Sequence, residues 1–240
     1  MVDSKLRSIM KRTVFERGVL YQQPIEYVKR YALLIIGLFI IAIGIALSTK
    51  ASLGTTPILS IPLVLSLGLP WSMGKITIAM HVIFVILQII ILQREYELFQ
   101  LLQLVVAFIF GYFTDFTLYL LSDLQIHSYF VQWLFCLVSI FVVALGVFLE
   151  VKANVVMLAG EGLVKAIAQK TNKDFGKIKM YFDSALVIIS VIASLYMFHK
   201  LNGIREGTIA SSLLVGNVVS YYNKKLNFVG RWIQEKKLEN

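Results

Sequence analysis

The sequence has few charged residues for its length. Charged residues make up 15% of its 240 residues, whereas hydrophobic residues make up 58% and the mean hydropathy is +0.77. This leaves too little polar surface to cover a soluble domain of this size. A bilayer core needs about 20 helical residues to cross it, and several stretches reach that length almost without charge. The composition therefore predicts a multi-span helical membrane protein.

Cysteine and histidine are also scarce. The single cysteine, Cys136, lies in an apolar run, so an intrachain disulfide is excluded and redox chemistry is not indicated. The three histidines, His81, His127 and His199, have no metal-ligand spacing among them. The sequence also lacks a paired-carboxylate site, a Ser/His/Asp order, a phosphate-binding glycine loop and a nucleotide fingerprint. We therefore expect no metal, no cofactor and no enzymatic activity.

Basic residues are concentrated at the two ends of the chain, and the formal net charge is +9. This distribution is typical of termini held in the cytoplasm against anionic lipid, and nucleic-acid binding is not expected. The first thirty residues contain no short apolar core, so they do not resemble a cleaved signal peptide. We interpret 1–30 as a basic cytoplasmic or interfacial tail and 223–240 as a second basic cytoplasmic tail.

Six segments are long and apolar enough to be membrane spans: 31–49, 76–93, 100–121, 129–149, 180–198 and 206–222. Two further segments, 55–69 and 157–170, lie between the first and second spans and between the fourth and fifth. The first is apolar but short and contains two prolines, whereas the second carries a glutamate and two lysines. We expect neither of them to cross the membrane alone.

The two halves of the chain match each other at a constant offset of 102 residues. The matched pairs are 44–51 (GIALSTKA) with 146–153 (GVFLEVKA) and 73–76 (MGKI) with 175–178 (FGKI). A third match, Gly111 with Gly216, requires a shift of three more residues. Chance would explain matches between common apolar residues, but two glycine/lysine matches at one offset favour a duplication.

The duplication predicts the fold class. Each half, 31–121 and 128–222, has three spans and one short helix, and an odd number of spans inserts the second half upside down. The loop charges agree, because the lysine-rich region 150–179 then lies inside and the loop at 122–127, which has no Lys or Arg, lies outside. A parallel four-plus-four arrangement gives no charge bias. We expect an all-α polytopic protein of two inverted three-span repeats, each with a short re-entrant or half helix.

The segment 53–60 (LGTTPILS) has the pattern of a helix start. Thr55 or Thr56 can be the N-cap, and Pro57 suits the first helical position because its missing N–H would be unpaired there anyway. The amino ends of short helices in a membrane carry partial positive charge and unpaired N–H groups, which attract anions and carboxylates. We therefore place both threonines in a predicted substrate site.

Four lysines accompany the short helices. Lys50 and Lys75 in the first half correspond to Lys152 and Lys177 in the second, where Glu150 and Glu161 are added. Two symmetry-related basic pairs at helix ends would flank a small anionic or zwitterionic solute at the repeat interface. The alternative is that these lysines extend to lipid headgroups.

Two aspartates complete the predicted site. Asp115 lies well within the third span, where an isolated carboxylate must be protonated, paired or facing water, and this makes it a functional candidate. Asp183, near the start of the fifth span, corresponds to His81 at the offset of 102. The alternatives are a structural hydrogen bond for Asp115 and a headgroup-level position for Asp183.

The stretches GIALSTKASLGTTPILSIPLVLSL, SMGKITIAMHVIFVIL, DFGKIKMYFDSALVII and GTIASSLLVGNVVSYY resemble the YczE/YitT-like family of bacterial integral membrane proteins. The resemblance covers about residues 30–222. It implies a multi-pass protein of the bacterial plasma membrane with a largely uncharacterised role. It supplies no catalytic residue and no substrate.

These observations lead to two hypotheses about function. The first is a small-solute transporter or permease whose only other partner is the lipid bilayer. The second is a non-transporting membrane scaffold or regulator that holds a cytoplasmic partner through the basic tails. An enzyme acting on lipid is a distant third, and the sequence gives no oligomeric state.

The inverted topology is testable by cysteine labelling. A membrane-impermeant thiol reagent added from outside should label a cysteine at Gln125 and should not label one at Asn172, because the two positions fall on opposite sides of the membrane. The opposite labelling pattern would contradict the topology.

Overall fold

The structure is a computed structural model, and it describes residues 24–226 and Val229. Most of the two predicted tails therefore lies outside the described residues. The described part contains eight α-helices and no strand. The helices are α1 (Pro24–Ala51), α2 (Pro57–Gly68), α3 (Met73–Leu92), α4 (Leu102–Leu120), α5 (Tyr129–Ala153), α6 (Ala159–Thr171), α7 (Phe175–Phe198) and α8 (Glu206–Lys225). Two 3₁₀ turns, Gln93–Glu95 and Leu98–Leu101, connect α3 to α4.

Five helices, α1, α3, α4, α5 and α7, are long and apolar enough to cross a membrane. They correspond to five of the six predicted spans. The sixth prediction, 206–222, does form a helix of 20 residues, α8, but α8 is not among the five because serines, asparagines and terminal charges lower its hydropathy. The two short segments form α2 with 12 residues and α6 with 13, both shorter than the about 20 residues that a bilayer requires.

The helix boundaries repeat at a spacing of 102 residues. The equivalent boundaries are the ends of α1 at Ala51 and of α5 at Ala153, the starts of α2 at Pro57 and of α6 at Ala159, and the starts of α3 at Met73 and of α7 at Phe175. Left-handed residues follow the first pair, Ser52 with φ 56° and Asn154 with φ 48°. Ser72 and Asp174, also 102 residues apart, both cap the following helix with their side chains. The local structure is thus repeated together with the sequence.

The centre of the fold is the antiparallel pair of α1 and α5. Arg30 near the start of α1 donates to the carbonyl oxygen of Ala153 at the end of α5, at 2.9 Å. Farther along, a Cβ on Gly37 would lie 2.9 Å from the Gly146 carbonyl oxygen, and a Cβ on Gly146 would lie 2.7 Å from that of Gly37. The two backbones are therefore in direct contact, which only glycine permits at this distance.

The other helices surround this pair in matching ways. On one side α4 runs parallel to α1, and Thr117 donates to the Ala42 carbonyl oxygen at 3.1 Å. On the other side α8 packs against α5, where the rings of Phe148 and Tyr222 lie 6.2 Å apart. The short helix α2 packs against α7, and α6 packs against α3.

The amino ends of α2 and α6 meet inside the molecule. A Cβ on Gly160, in the first turn of α6, would overlap the side chain of Ile58 in the first turn of α2. The carboxyl ends of both helices point away from this meeting point: Gly68 lies beside Met197 at the end of α7, and Lys170 pairs with Glu95 beyond the end of α3 at 2.8 Å. Each short helix therefore begins in the middle of the fold and ends near the end of a long helix.

The glycine contact between α1 and α5 generates a prediction about stability. Gly146→Ala should lower the free energy of unfolding by about 1–3 kcal/mol, because the added methyl group meets backbone that cannot move away. Gly216→Ala in α8 is the matched control, since a Cβ there meets nothing within 4 Å; it should be neutral or stabilising by up to about 1 kcal/mol, the gain in helix propensity. Unfolding in detergent by heat or denaturant measures both. An equal response of the two variants would contradict the prediction.

Candidate functional site

A cavity of about 590 Å³ lies where the amino ends of α2 and α6 meet. Each of the eight helices contributes at least one residue to its wall. Most of the lining side chains are apolar, and the charged ones are Glu150, Glu161, Lys179 and Asp183. The cavity is therefore a largely apolar chamber with a few polar groups, as is usual for small-molecule sites.

Glu150 connects the cavity wall to the amino end of α6. Its side chain is 7% exposed, and its carboxylate accepts a hydrogen bond of 3.0 Å from the backbone N–H of Leu158. Leu158 is the N-cap residue of α6 and cannot cap the helix with its own side chain. Glu150 of α5 thus supplies the negative charge that a helix amino end favours.

Glu161 adds a second carboxylate in the first turn of α6. Its Oε2 is buried and has no hydrogen-bond partner among the described residues. Lys179 and Asp183 of α7 also line the cavity. They form an ion pair of 2.8 Å one helical turn apart, and both side chains are about a quarter exposed. Glu161 is thus the carboxylate of the cavity with a buried oxygen that no described residue bonds.

His81 lines the same cavity from α3. It is 1% exposed, and its ring lies 6.1 Å from each of the Phe84 and Phe110 rings. The Nδ1 atom has no hydrogen-bond partner within the described part of the chain. His81 and Asp183 are equivalent at the offset of 102, and the structure places both at the cavity.

The charges of the cavity wall are unequal. Three carboxylates and one lysine line it, so that two negative charges remain when all four are ionised. No group of three His, Cys, Asp or Glu side chains among residues 24–226 is arranged to hold a metal ion. The negative charge is therefore available to a positively charged group of a solute.

Three of the nine predicted site residues line the cavity: Thr56, Glu161 and Asp183. Thr55, the neighbour of Thr56, is fully buried, and its hydroxyl has no partner among the described residues. Six lining residues with polar side chains were not among the nine predicted ones: His81, Glu150, Asn154, Lys179, Ser211 and Ser212. The offset of 102 pairs His81 with Asp183, and this was the signal that could have identified His81.

The four predicted lysines lie away from the cavity. Lys50 donates to the Ser122 carbonyl oxygen at 2.9 Å, and the Nζ of Lys152 lies 5.8 Å from the ring centre of Phe148. Lys75 and Lys177 are exposed near the starts of α3 and α7. The structure therefore does not bring the two basic pairs together around a solute.

Asp115 is a structural cap in the described structure. Its carboxylate accepts hydrogen bonds from the Ser72 hydroxyl at 2.6 Å and from the Gly74 backbone N–H at 2.7 Å. These bonds attach α4 to the amino end of α3. Asp115 does not line the cavity.

A second opening of about 1040 Å³ lies between α7 and α8. We call it the α7–α8 groove. Pro57, Lys179, Asp183 and Ser212 line both the cavity and the groove, so the two spaces adjoin. The remaining lining residues of the groove are mainly apolar, among them Val187, Ile188, Val191, Ile209 and Leu213.

The comparisons with known proteins identify a family without an assigned role. A model of a family of unknown function (DUF6198) matches residues 28–224. The chain belongs to this family. The match covers the helices that form the cavity, so the site belongs to the DUF6198 region. Comparison with curated proteins and with solved structures found no match, and the finer resemblance to YczE/YitT-like proteins stays an expectation.

Proposed function

We propose that this membrane protein is a transporter or permease for a small polar solute, with its site in the central cavity. The observation that carries the proposal is the position of the cavity: a chamber with charged groups lies where two half helices meet, and all eight helices line it. Transporters commonly place their substrate sites near the bilayer midplane, at discontinuous helices between structural repeats. Its volume of about 590 Å³ is within the usual range for small-molecule sites.

We propose further that the two halves are inverted three-span repeats. The antiparallel course of α1 and α5, the first helices of the two halves, supports this arrangement. The parallel course of α1 and α4, the first and last helices of the first half, agrees with three crossings per half, and the Lys50–Ser122 bond joins their carboxyl ends. In this arrangement α2 and α6 are re-entrant half helices.

The sixth crossing in the proposed arrangement is α8. Its hydropathy is too low for a helix in contact with lipid on every side. Ser211, Ser212 and Gly216 line the cavity, so part of its polar surface faces the proposed solute path, where polar residues are tolerated. The basic tails support a location with both termini in the cytoplasm and the spans in a bacterial plasma membrane.

The cavity favours one of the two solute classes expected from the sequence. The lysine pairs that the sequence predicted for an anionic solute lie outside the cavity, and three carboxylates outnumber the one lysine in its wall. A zwitterion or another solute with a positive group fits a wall with three carboxylates and one lysine. We therefore propose a zwitterionic solute and no enzymatic step.

Uptake into proteoliposomes tests the proposal. The purified protein should take up at least one member of a broad panel of small metabolites, and Glu161→Gln should lower that uptake at least about tenfold, because a charge-assisted hydrogen bond is lost. Glu97→Gln, at an exposed position, is the matched control and should leave uptake unchanged.

The same assay separates transport from scaffolding. Deletion of residues 1–23 should leave uptake intact if the cavity carries the function. Two results together would favour the scaffold and contradict transport. The first is that no member of the panel is taken up or stabilises the protein against heat, and the second is that a cellular phenotype is lost only when the tails are deleted.

A further inference from the structure

We propose that the cavity binds a zwitterion by its two ends, which rests on the proposed function and names the contacts of the solute. The positive group binds at Glu161, beside Glu150 and Asp183. The carboxylate binds at the amino end of α2, beside Thr56. The cavity therefore recognises a small molecule with an ammonium group and a carboxylate, and a molecule with only one of these groups binds more weakly.

The carboxylate side of the cavity has one buried oxygen without a hydrogen-bond partner among the described residues. Glu150 is bonded to the Leu158 backbone and Asp183 to Lys179, whereas Oε2 of Glu161 is buried and has no partner among the described residues. A buried carboxylate oxygen without a donor is costly. An ammonium group of a solute would supply that donor.

The amino end of α2 differs from that of α6. The α6 end has Glu161 in its first turn and the Glu150 carboxylate on its N-cap amide. The α2 end has no acidic residue in its first turn, and its N-cap residue Thr56 makes no side-chain cap bond. Thr56 and Pro57 both line the cavity. Neither a residue of the first turn of α2 nor its N-cap side chain therefore compensates the partial positive charge of this helix end, and a solute carboxylate would compensate it.

His81 is a second and independent sign of a ligand. It is 1% exposed, it lines the cavity, and its Nδ1 has no partner among the described residues. Buried polar atoms of native proteins are nearly always hydrogen-bonded, to protein, water or ligand. The unpartnered atom of His81 thus marks the cavity as a place where polar groups from outside the protein are accommodated.

Equilibrium binding tests this inference without transport. The probes are the proteinogenic amino acids, matched with simple amines and carboxylic acids of the same size, and the readout is thermal stabilisation of the full chain in nanodiscs. At least one zwitterion should bind at least about tenfold more tightly than its singly charged analogues, since each lost charged hydrogen bond costs about that factor. Glu161→Gln should weaken its binding at least about tenfold, and Glu97→Gln should not.

Competition on the wild-type protein keeps the test independent of variant folding. An excess of amine and an excess of carboxylic acid should each displace the zwitterion, whereas a neutral amide of equal size should not. Absence of binding by every zwitterion, or displacement by neither charged analogue, overturns the inference. Binding without uptake would support the inference and contradict transport, so the two proposals fail separately.

A second inference rests on a different observation, the unequal packing of two equivalent helix pairs. In the first half, α3 packs along α4. A Cβ on Gly111 would lie 2.7 Å from the Gly74 carbonyl oxygen, so the two backbones touch. Asp115 adds hydrogen bonds to Ser72 and to the Gly74 N–H. The α3–α4 pair is therefore in backbone contact and is held together by the hydrogen bonds of Asp115.

The equivalent pair in the second half is open. Gly176 and Gly216 correspond to Gly74 and Gly111, but a Cβ on Gly216 would meet nothing within 4 Å, and one on Gly176 would meet only Asp174 within that distance. The α7–α8 groove lies between these helices and adjoins the cavity. The same glycine pattern therefore has two packings in one molecule.

One residue explains why, among the described residues, hydrogen bonds join α3 to α4 but not α7 to α8. The shift of 105 residues that aligns Gly111 with Gly216 aligns Asp115 with Ser220. A serine has no carboxylate with which to accept both bonds at the amino end of the neighbouring helix. Asp174, the equivalent of Ser72, accepts a hydrogen bond from the Lys177 N–H and so caps α7 itself without joining it to α8.

We infer that the α7–α8 groove is the open access route to the cavity. The groove closes when Gly216 approaches Gly176, as Gly111 approaches Gly74 in the first half. In transporters built from inverted repeats, the two repeats exchange conformations when access to the central site alternates between the two sides of the membrane. Closure of the α7–α8 pair therefore accompanies opening of the α3–α4 pair. The bonds of Asp115 then hold the described state, and their loss favours the alternative one.

Disulfide trapping tests the second inference. In a Cys136→Ala background, Gly176→Cys with Gly216→Cys should form a disulfide under mild oxidation. The bond requires Cβ atoms about 4 Å apart, a distance that the described state does not provide. Asp115→Ala should raise the cross-linked fraction several-fold, because it removes both bonds at Ser72 and Gly74. Asp123→Ala, in an exposed turn, is the control and should leave the fraction unchanged.

Ser72→Ala removes only one of the two bonds and should raise the cross-linked fraction by a smaller amount, which provides a milder variant. No cross-link in any background, or an equal fraction with Asp115→Ala and Asp123→Ala, overturns the inference. Trapping reports conformation directly, so a chain that cross-links as expected but transports no solute contradicts the proposed function and leaves the movement established.

Discussion

The glycine contact between α1 and α5 sets the positions of the other elements. Because Gly37 and Gly146 bring the two backbones together, the helices cross at a distance that larger side chains would not permit. Each helix then ends in a left-handed residue, Ser52 or Asn154, and the chain turns back toward the middle. The short helices α2 and α6 start there, face to face, as a consequence of where their predecessors end.

Two helix amino ends that face each other repel, since each carries partial positive charge. The structure reduces this repulsion on one side with Glu150 and Glu161 and leaves the α2 end without a carboxylate. The groups that stabilise the meeting point also give the cavity its negative charge. Stability and the proposed recognition of a zwitterion therefore depend on the same electrostatic arrangement, and the vacant position at α2 is where a solute can contribute.

Much of the fold could be predicted from the sequence, and less of the site. Hydropathy located five long helices, and the repeat located the two short ones, because length and composition are properties of a segment alone. The site depends on which faces of distant helices meet. Glu161 and Asp183, both predicted from the sequence, line the cavity, but the bond that Glu150 accepts from the Leu158 N–H depends on the turn after α5. The four predicted lysines lie outside the cavity, and long side chains at helix ends reach carbonyls and aromatic rings as readily as a solute.

The two halves of the molecule share the same pattern of helices and glycines, but among the described residues only the first half has a carboxylate that joins its last two helices. A carboxylate at the depth of Asp115 is costly unless donors surround it, and the hydroxyl of Ser72 and the amide of Gly74 supply two. With both bonds formed, the carboxylate joins α4 to α3. In the second half Ser220 takes its place, and no equivalent bond joins α8 to α7 within the described part of the chain. If hydrogen bonds joined both α3 to α4 and α7 to α8, the cavity would be enclosed permanently. If they joined neither pair, the cavity would be open on both sides. An alternating pathway requires the unequal pairing that Asp115 and Ser220 provide.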